Sequence, residues 1–285
     1  MELKKDFVEK YEDYFDLKVF EKNIRKSVRV NSLKISVNEF KQLKLFDLER
    51  IPWCDEGFWT NEVNLGKFQE HEEGFYFVQG SVEMIPALVL NVKLHEHVLD
   101  MCASPGGKSS QMAAYMKNEG VLVCNDVNAL KVNTLIKNLQ RMGVKNNIVT
   151  QMKGWDVKGE FDKVLVDAPC SGTGVISKNP DVARMWNAKT GKRFSVDQKK
   201  LLKRALEVGK EVVYSTCSLE KEENEDVVEW ALNNFDVKLG EVKINVKRGE
   251  ILSDNKELKN CLRVWPSEKN VGFFVAKFLK GKINK

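Results

Sequence analysis

Cys170 and Cys217 each follow a short apolar run rich in Val, so both thiols are expected where a strand hands over to a loop. The segment Asp167-Ala-Pro-Cys-Ser-Gly-Thr-Gly174 sets a carboxylate and a thiol three residues apart on a loop shaped by Pro and Gly. Tyr214-Ser-Thr-Cys-Ser218 delivers a second thiol directly from a strand. A thiolate is a nucleophile able to add to an electron-poor carbon, and a nearby carboxylate can hold or pass a proton. An isolated cysteine is more often a small buried hydrophobe. Two of them beside an acid, at the end of what reads as one sheet, point instead to covalent chemistry. The residues alone leave Cys170 and Cys217 as equal candidates for the nucleophile.

Two further strand ends carry polar or glycine-rich signals. In Asp100-Met-Cys-Ala-Ser-Pro-Gly-Gly-Lys108, the pair Gly106 and Gly107 permits a tight turn that brings backbone N–H groups close to a ligand at a helix N-terminus. This is not the Gly-x-Gly-x-x-Gly turn of dinucleotide-binding folds. Asp126 closes the next strand, where an acid can accept both hydroxyls of a ribose. The alternative for Asp126 is a helix N-cap.

These residues need a frame that brings four strand ends to one edge. From about residue 94, short apolar segments alternate with amphipathic ones: strands are expected at 97–101, 121–126, 147–152, 161–168, 211–217 and 272–278. Val132, Leu135, Ile136, Leu139 and Met142 recur at helical spacing and Gly143 stops the pattern. Leu201, Leu202, Ala205 and Val208 mark a second helix, and Val227, Val228 and Ala231 a third. The fold class is therefore α/β, a doubly wound, Rossmann-like parallel sheet. Residues 1–75 read as a small N-terminal α+β domain, and 76–285 as the main domain. In the first, Val28, Val30 and Leu33 suggest the buried face of a strand, with Arg29 and Asn31 pointing the other way.

The chain of 285 residues, 42% apolar and 31% charged, can bury one substantial core and a smaller appendage. Its apolar runs are shorter than the roughly 20 residues that cross a bilayer, and residues 1–10 lack a signal-peptide apolar region. A soluble, cytoplasmic monomer is expected. None of the six cysteines is spaced Cys-x-x-Cys, and His71, His95 and His97 form no metal set, so neither disulfide framework nor metal is expected. The net charge of +5 suits a polyanionic partner without demanding one. Locally, residues 178–204 hold nine Lys and Arg with Trp186 and Phe194 interleaved, which would combine phosphate neutralisation with base stacking. A solvated loop leading into an amphipathic helix is the simpler alternative.

Taken together, DMCASPGGK (100–108), DAPCSGTG (167–174) and STCSLEKEEN (215–224) resemble the Sun (Fmu/Sun) family of RNA cytosine-5 methyltransferases, particularly its compact archaeal-type members. The resemblance runs over about 29–278 and includes RVNSLK (29–34), KNP (178–180) and RVWPSEKNVGFFVAK (263–277). It implies that Cys102, Ala103, Ser104, Pro105, Gly106, Gly107, Lys108 and Asp126 bind S-adenosylmethionine and that Asp167 lies between cofactor and target base. It also implies that Cys217 is the nucleophile and Cys170 assists product release. DNA cytosine methyltransferases attack from a Pro-Cys pair like Pro169-Cys170; the second thiol, in STCS, is what tips the assignment to Cys217. Members often hold the adenine amine with an aspartate after the third strand. Lys153 occupies that place, and Asp156, three residues on, is assigned the contact instead. The family's usual Gln-Asp pair is Gln79-Gly80. Carbon 5 of cytosine is a poor nucleophile, so the chemistry needs a thiolate to add at carbon 6, with Asp167 managing the proton at ring nitrogen 3 and Lys108 favouring the thiolate. The implied substrate is RNA, with tRNA favoured and rRNA the alternative. From another functional class, a non-catalytic RNA-binding assembly factor would keep the fold, but intact Cys170, Cys217, Asp167 and Gly106-Gly107 argue against it.

Overall fold

The computed structural model describes residues 3–280. A small antiparallel sheet comes first in the chain: β1 (Lys26–Val30), β2 (Glu49–Arg50), β3 (Gly57–Thr60) and β4 (Tyr76–Val78), in the order β2-β3-β1-β4. Val28 and Val30 bury against Phe40, Phe58 and Tyr76, as the alternation requires. Arg29 and Asn31 do lie on the opposite face, but that face is covered too: both side chains are almost wholly buried. Such polar groups survive burial only when their donors are satisfied. Arg29 donates to Gln79 Oε1, the Gly107 carbonyl and the Ser110 hydroxyl, and Asn31 to the carbonyls of Gly74 and Met142. β1 thus ends at Val30, Leu33 falls in the following turn, and the small sheet is fastened to the main sheet's helices by polar side chains.

The second sheet comprises β5 (His97–Asp100), β6 (Val121–Asn125), β7 (Asn147–Thr150), β8 (Phe161–Asp167), β9 (Gly209–Thr216), β10 (Val237–Gly240), β11 (Leu262–Val264) and β12 (Phe273–Lys280). Its order is β10-β12-β9-β8-β5-β6-β7, with β11 paired to β12. Strands β5 to β9 pair in parallel, forming the expected doubly wound sheet. The strand expected at 272–278 differs: β12 runs antiparallel to β9, β10 and β11. It is reached from β11 by a loop with no crossover helix, and only an antiparallel neighbour can be joined so. β10 and β11, four and three residues long, are too short to show a period. Strand order reverses between β5 and β8, so the loops leaving these strands diverge and open a crevice at the carboxyl edge.

Helices cover both faces. In Ala129–Arg141, Val132, Leu135 and Leu139 are buried, and the Asn128 side chain caps the first turn by accepting from Leu130 and Lys131 N–H. Thr190–Val208 buries Leu201, Leu202, Ala205 and Val208, and Glu225–Asn234 buries Val227, Val228 and Ala231. The first helix, Lys5–Tyr11, sets Phe7 and Tyr11 into a cluster with Trp186 and Leu219. Among the described residues no helix is long and apolar enough to cross a membrane.

Candidate active site

The loops leaving β8 and β9 bring the two thiols together: Cys170 Sγ and Cys217 Sγ are 3.3 Å apart, and both side chains are half-buried. Parallel pairing of β8 with β9 sets Asp167 opposite Ser215, so both loops start at the same level of the sheet. The Gly174 N–H then donates to the Cys217 carbonyl, and the Gly174 carbonyl accepts from Gly272 N–H, each at 2.9 Å. Glycine is required there, since a Cβ on Gly174 would lie 2.4 Å from the Gly272 carbonyl oxygen and 2.7 Å from that of Cys217. The hydrogen bond with Cys217 and burial together hold the Cys170 thiol well above the usual cysteine range. Cys170 therefore keeps its proton at neutral pH.

Asp167 Oδ2 accepts from Lys108 Nζ at 2.7 Å and Oδ1 from the Ser215 hydroxyl at 2.7 Å, so both oxygens act as acceptors. Burial works against the Lys108 ammonium, but Asp167, Glu83 and Asp100 outweigh it and raise its pKa above the ordinary lysine value. The partner of Lys108 is thus the carboxylate, and no hydrogen bond joins it to either thiol. That differs from the expected help to Cys217: the helix beginning at Gly107 carries Lys108 toward the end of β8, where Asp167 lies.

At the end of β5, Gly106 has φ +101°, a left-handed conformation that suits glycine, and opens the helix Gly107–Tyr115. A Cβ on Gly107 would crowd the Phe77 ring at 3.1 Å, and its carbonyl accepts from Arg29, so the small sheet buttresses this turn from behind. Ala103 N–H donates to the Asn125 carbonyl, Ser104 Oγ to the Lys131 carbonyl, and the Pro105 carbonyl accepts from Asn138. Cys102, also half-buried, is kept a thiol by burial first and then by Asp100, Asp167 and Asp126 nearby. Asp126 is buried and accepts only the backbone N–H of Asn128 through Oδ1; the capping role falls to Asn128. Asp156 sits in a short turn beyond β7, exposed, with no hydrogen bond or ion pair to the other candidates.

Asp100, quoted in the sequence only as the start of the glycine-turn segment, adds a buried carboxyl beside these residues. Burial pushes its carboxyl up to about 7; Oδ2 accepts from Ser109, while the buried Oδ1 has no partner. Its position as the last residue of β5 was the available signal. Another correction concerns Trp186, expected among the stacking aromatics of 178–204. It is buried, donates through Nε1 to Glu220 and packs edge-on against Phe7, so no base can reach it. Arg184, Lys192 and Arg193 remain exposed, and Phe194 is half-exposed under the Arg193 guanidinium. Between the small sheet and the strand-end loops runs a groove lined in part by Lys26, Gln79, Glu83, Lys178 and Lys269. Glu83 pairs with Lys178 at 2.8 Å in that groove. Among the described residues no cluster of three or more His, Cys, Asp or Glu could hold a metal ion.

Compared with known proteins, residues 87–279 match the family model of 16S rRNA methyltransferase RsmB/F, and residues 2–81 that of the N-terminal domain of 16S rRNA methyltransferase RsmF. Ribosomal RNA small subunit methyltransferase F of Vibrio cholerae is 40% identical over 276 residues, covering 90% of this chain and 58% of that protein. The chain thus spans little more than half the length of such relatives. A tRNA (cytosine(49)-C(5))-methyltransferase of Pyrococcus abyssi is 38% identical over 300 residues, covering 98% of this chain and 96% of that one. A methyltransferase homologue from Pyrococcus horikoshii, known by crystal structure, superposes with a TM-score of 0.87 at 36% identity over 98% of this chain and 95% of its own.

Proposed function

This chain belongs to the RsmB/F methyltransferase family, and from that starting point we propose that it methylates carbon 5 of a cytosine in RNA, using S-adenosylmethionine and a covalent adduct to Cys217. The observation that carries the reading is the meeting of Cys217 and Cys170, 3.3 Å apart, on the loop edge that also holds the Lys108–Asp167 pair. A structural cysteine has no need of a second thiol, a carboxylate and an ammonium around it.

The residues at the end of β5 and β6 fit a nucleoside-bearing sulfonium. The Gly106-Gly107 turn gives close backbone approach, Asp126 is a buried acid with an oxygen to spare, and Asp100 adds a second buried carboxyl at the end of β5. Cys102 to Lys108 and Asp126 would hold the ligand, with Asp156 assigned to the adenine end on sequence position alone. When bound, S-adenosylmethionine supplies an electrophilic methyl group.

The protein's own part runs as follows. The Cys217 thiolate adds to carbon 6 of the cytosine, which converts carbon 5 into an enamine carbon able to take a methyl group. Lys108 and Asp167 present a donor and an acceptor side by side, a pair that suits ring nitrogen 3 and the exocyclic amine of cytosine. Because both Asp167 oxygens already accept hydrogen bonds, the proton available for ring nitrogen 3 is that of Lys108. After transfer a base removes the carbon 5 proton and Cys217 departs as a thiolate. Cys170, still a thiol, donates a hydrogen bond to the departing sulfur.

The end-to-end likeness to the P. abyssi enzyme supports tRNA as substrate, and a cytoplasmic location follows from that; the 16S rRNA description of the family supports rRNA as the second reading. We assign RNA contact to the N-terminal unit, expected at 1–75 and carried by its last strand β4 to Val78, which walls the groove, and to the exposed cations of 184–193. Bisulfite sequencing of total RNA with and without the gene tests the whole reading. Loss of a 5-methylcytosine in tRNA is expected; loss only in 16S rRNA would select the second reading, and no lost site would remove both.

A further inference from the structure

Glu223 takes no part in the chemistry above, yet it is fully buried and its carboxylate reaches both thiol-bearing loops. Oε2 accepts from the backbone N–H of Ser171, next to Cys170, at 3.0 Å, and from the Gln198 side-chain amide at 2.8 Å. Oε1 accepts from the hydroxyl of Ser218, next to Cys217, at 2.7 Å. The same Gln198 amide also donates to the Pro169 carbonyl, on the other side of Cys170, at 3.0 Å. The Ser171 and Ser218 hydroxyls lie 2.9 Å from one another. From the main chain of the same residue, the Glu223 carbonyl accepts from the Tyr214 hydroxyl of β9 at 2.7 Å.

A buried carboxylate is costly and persists only where its lone pairs are filled. Here the donors that fill them are the immediate neighbours of the two cysteines and the glutamine that grips one loop, so the interaction is spent on holding the loops to each other. We propose that Glu223 is a positioning residue that sets the distance between the Cys170 and Cys217 sulfurs. The assignment rests on reading these cysteines as the reacting pair.

The spacing can be read without RNA. At 3.3 Å the two sulfurs need move little more than 1 Å to reach disulfide distance. Diamide oxidises such a pair: the thiols give up two electrons and two protons, an S–S bond forms, and diamide becomes its hydrazine. The parent protein is expected to form the Cys170–Cys217 bond rapidly, seen by peptide mapping. Glu223→Ala should slow it by at least about tenfold, because a displacement near 1 Å is enough to spoil a reacting geometry. Alkylation of each cysteine by iodoacetamide, which needs no partner, should stay near the parent rate. Glu223→Gln should restore cross-linking, since its amide oxygen can accept from Ser171 and Gln198 while its amide nitrogen donates to the Ser218 oxygen. If Glu223→Ala fails to fold, Ser218→Ala removes the Oε1 arm alone and should slow cross-linking partially.

In methylation assays Glu223→Ala should lower kcat and leave KM for S-adenosylmethionine unchanged, with rescue by Glu223→Gln. Cross-linking at the parent rate in Glu223→Ala, or in Ser218→Ala where that is the variant used, would overturn the proposal. So would equal loss of cross-linking and of cofactor binding in the Gln variant, which marks a general structural role. A parent protein that cross-links as expected but methylates no RNA would sink the functional reading and leave the spacing role of Glu223 standing.

Discussion

The roles proposed for Cys170 and Cys217 are release and attack. Cys170 is held protonated by its hydrogen bond with Cys217 and by burial; a thiol that stays a thiol is a poor nucleophile and a serviceable hydrogen-bond donor. The two should therefore fail differently. Cys217→Ala should abolish both methyl transfer and any covalent complex with RNA. Cys170→Ala should still form the adduct but release it slowly, so a protein–RNA complex that resists denaturation accumulates on a denaturing gel. Trapping by the Cys217 variant instead would reverse the assignment. Asp126 gives a second prediction at this scale. With Asn128 capping the helix, removing the Asp126 carboxylate costs no cap, and its loss should be felt by the ligand. A ribose hydrogen bond to a charged group is worth about 1.5–3 kcal/mol, so its loss in Asp126→Ala should weaken S-adenosylmethionine binding by roughly ten- to hundredfold. Unchanged affinity by calorimetry in a folded variant would take Asp126 out of the site.

Among the elements, the loop that follows β8 is held more tightly than its glycine content suggests. Gly174 fits between the backbones of Cys217 and Gly272, and neither backbone carbonyl can step aside as a flexible side chain would. Gly174→Ala is expected to cost about 1–3 kcal/mol by overpacking, measurable by urea unfolding, and to depress turnover because the strain falls on the carbonyl of Cys217. Parent-like stability would mean that the loop relaxes freely. The helix Ala129–Arg141 shows the opposite case. Its apolar face at Val132, Leu135 and Leu139 and the stop at Gly143 were legible because each is local, whereas the cap is Asn128 and not Asp126. The direction of β12 was not, since an apolar run reads alike in parallel and antiparallel neighbours.

For the molecule as a whole, the groove runs between the small sheet and the loops that follow β8 and β11, and the exposed cations lie on the helices Asp181–Met185 and Thr190–Val208. If RNA lies across that surface, replacing Arg184, Lys192 and Arg193 together should weaken RNA binding and flatten its dependence on salt, while cofactor binding stays as it was. An unchanged salt slope would return 184–193 to a solvated face. Trp186 will contribute nothing to that binding, because it serves the packing of the first helix. The four chemistry-bearing strand ends, the α/β class and the family resemblance were all present in local order along the chain: residue type, period and spacing are properties a linear reading retains. What the linear reading lost was every property that depends on a partner distant in the chain. Lys108 meets Asp167 rather than a thiol, Arg29 is buried beneath the glycine turn, Trp186 faces inward, and Glu223 bridges two loops. Each of these contacts joins residues tens of positions apart, and for each the deciding quantity is the cost of burying a polar or aromatic group, which has no value until the fold supplies its neighbours.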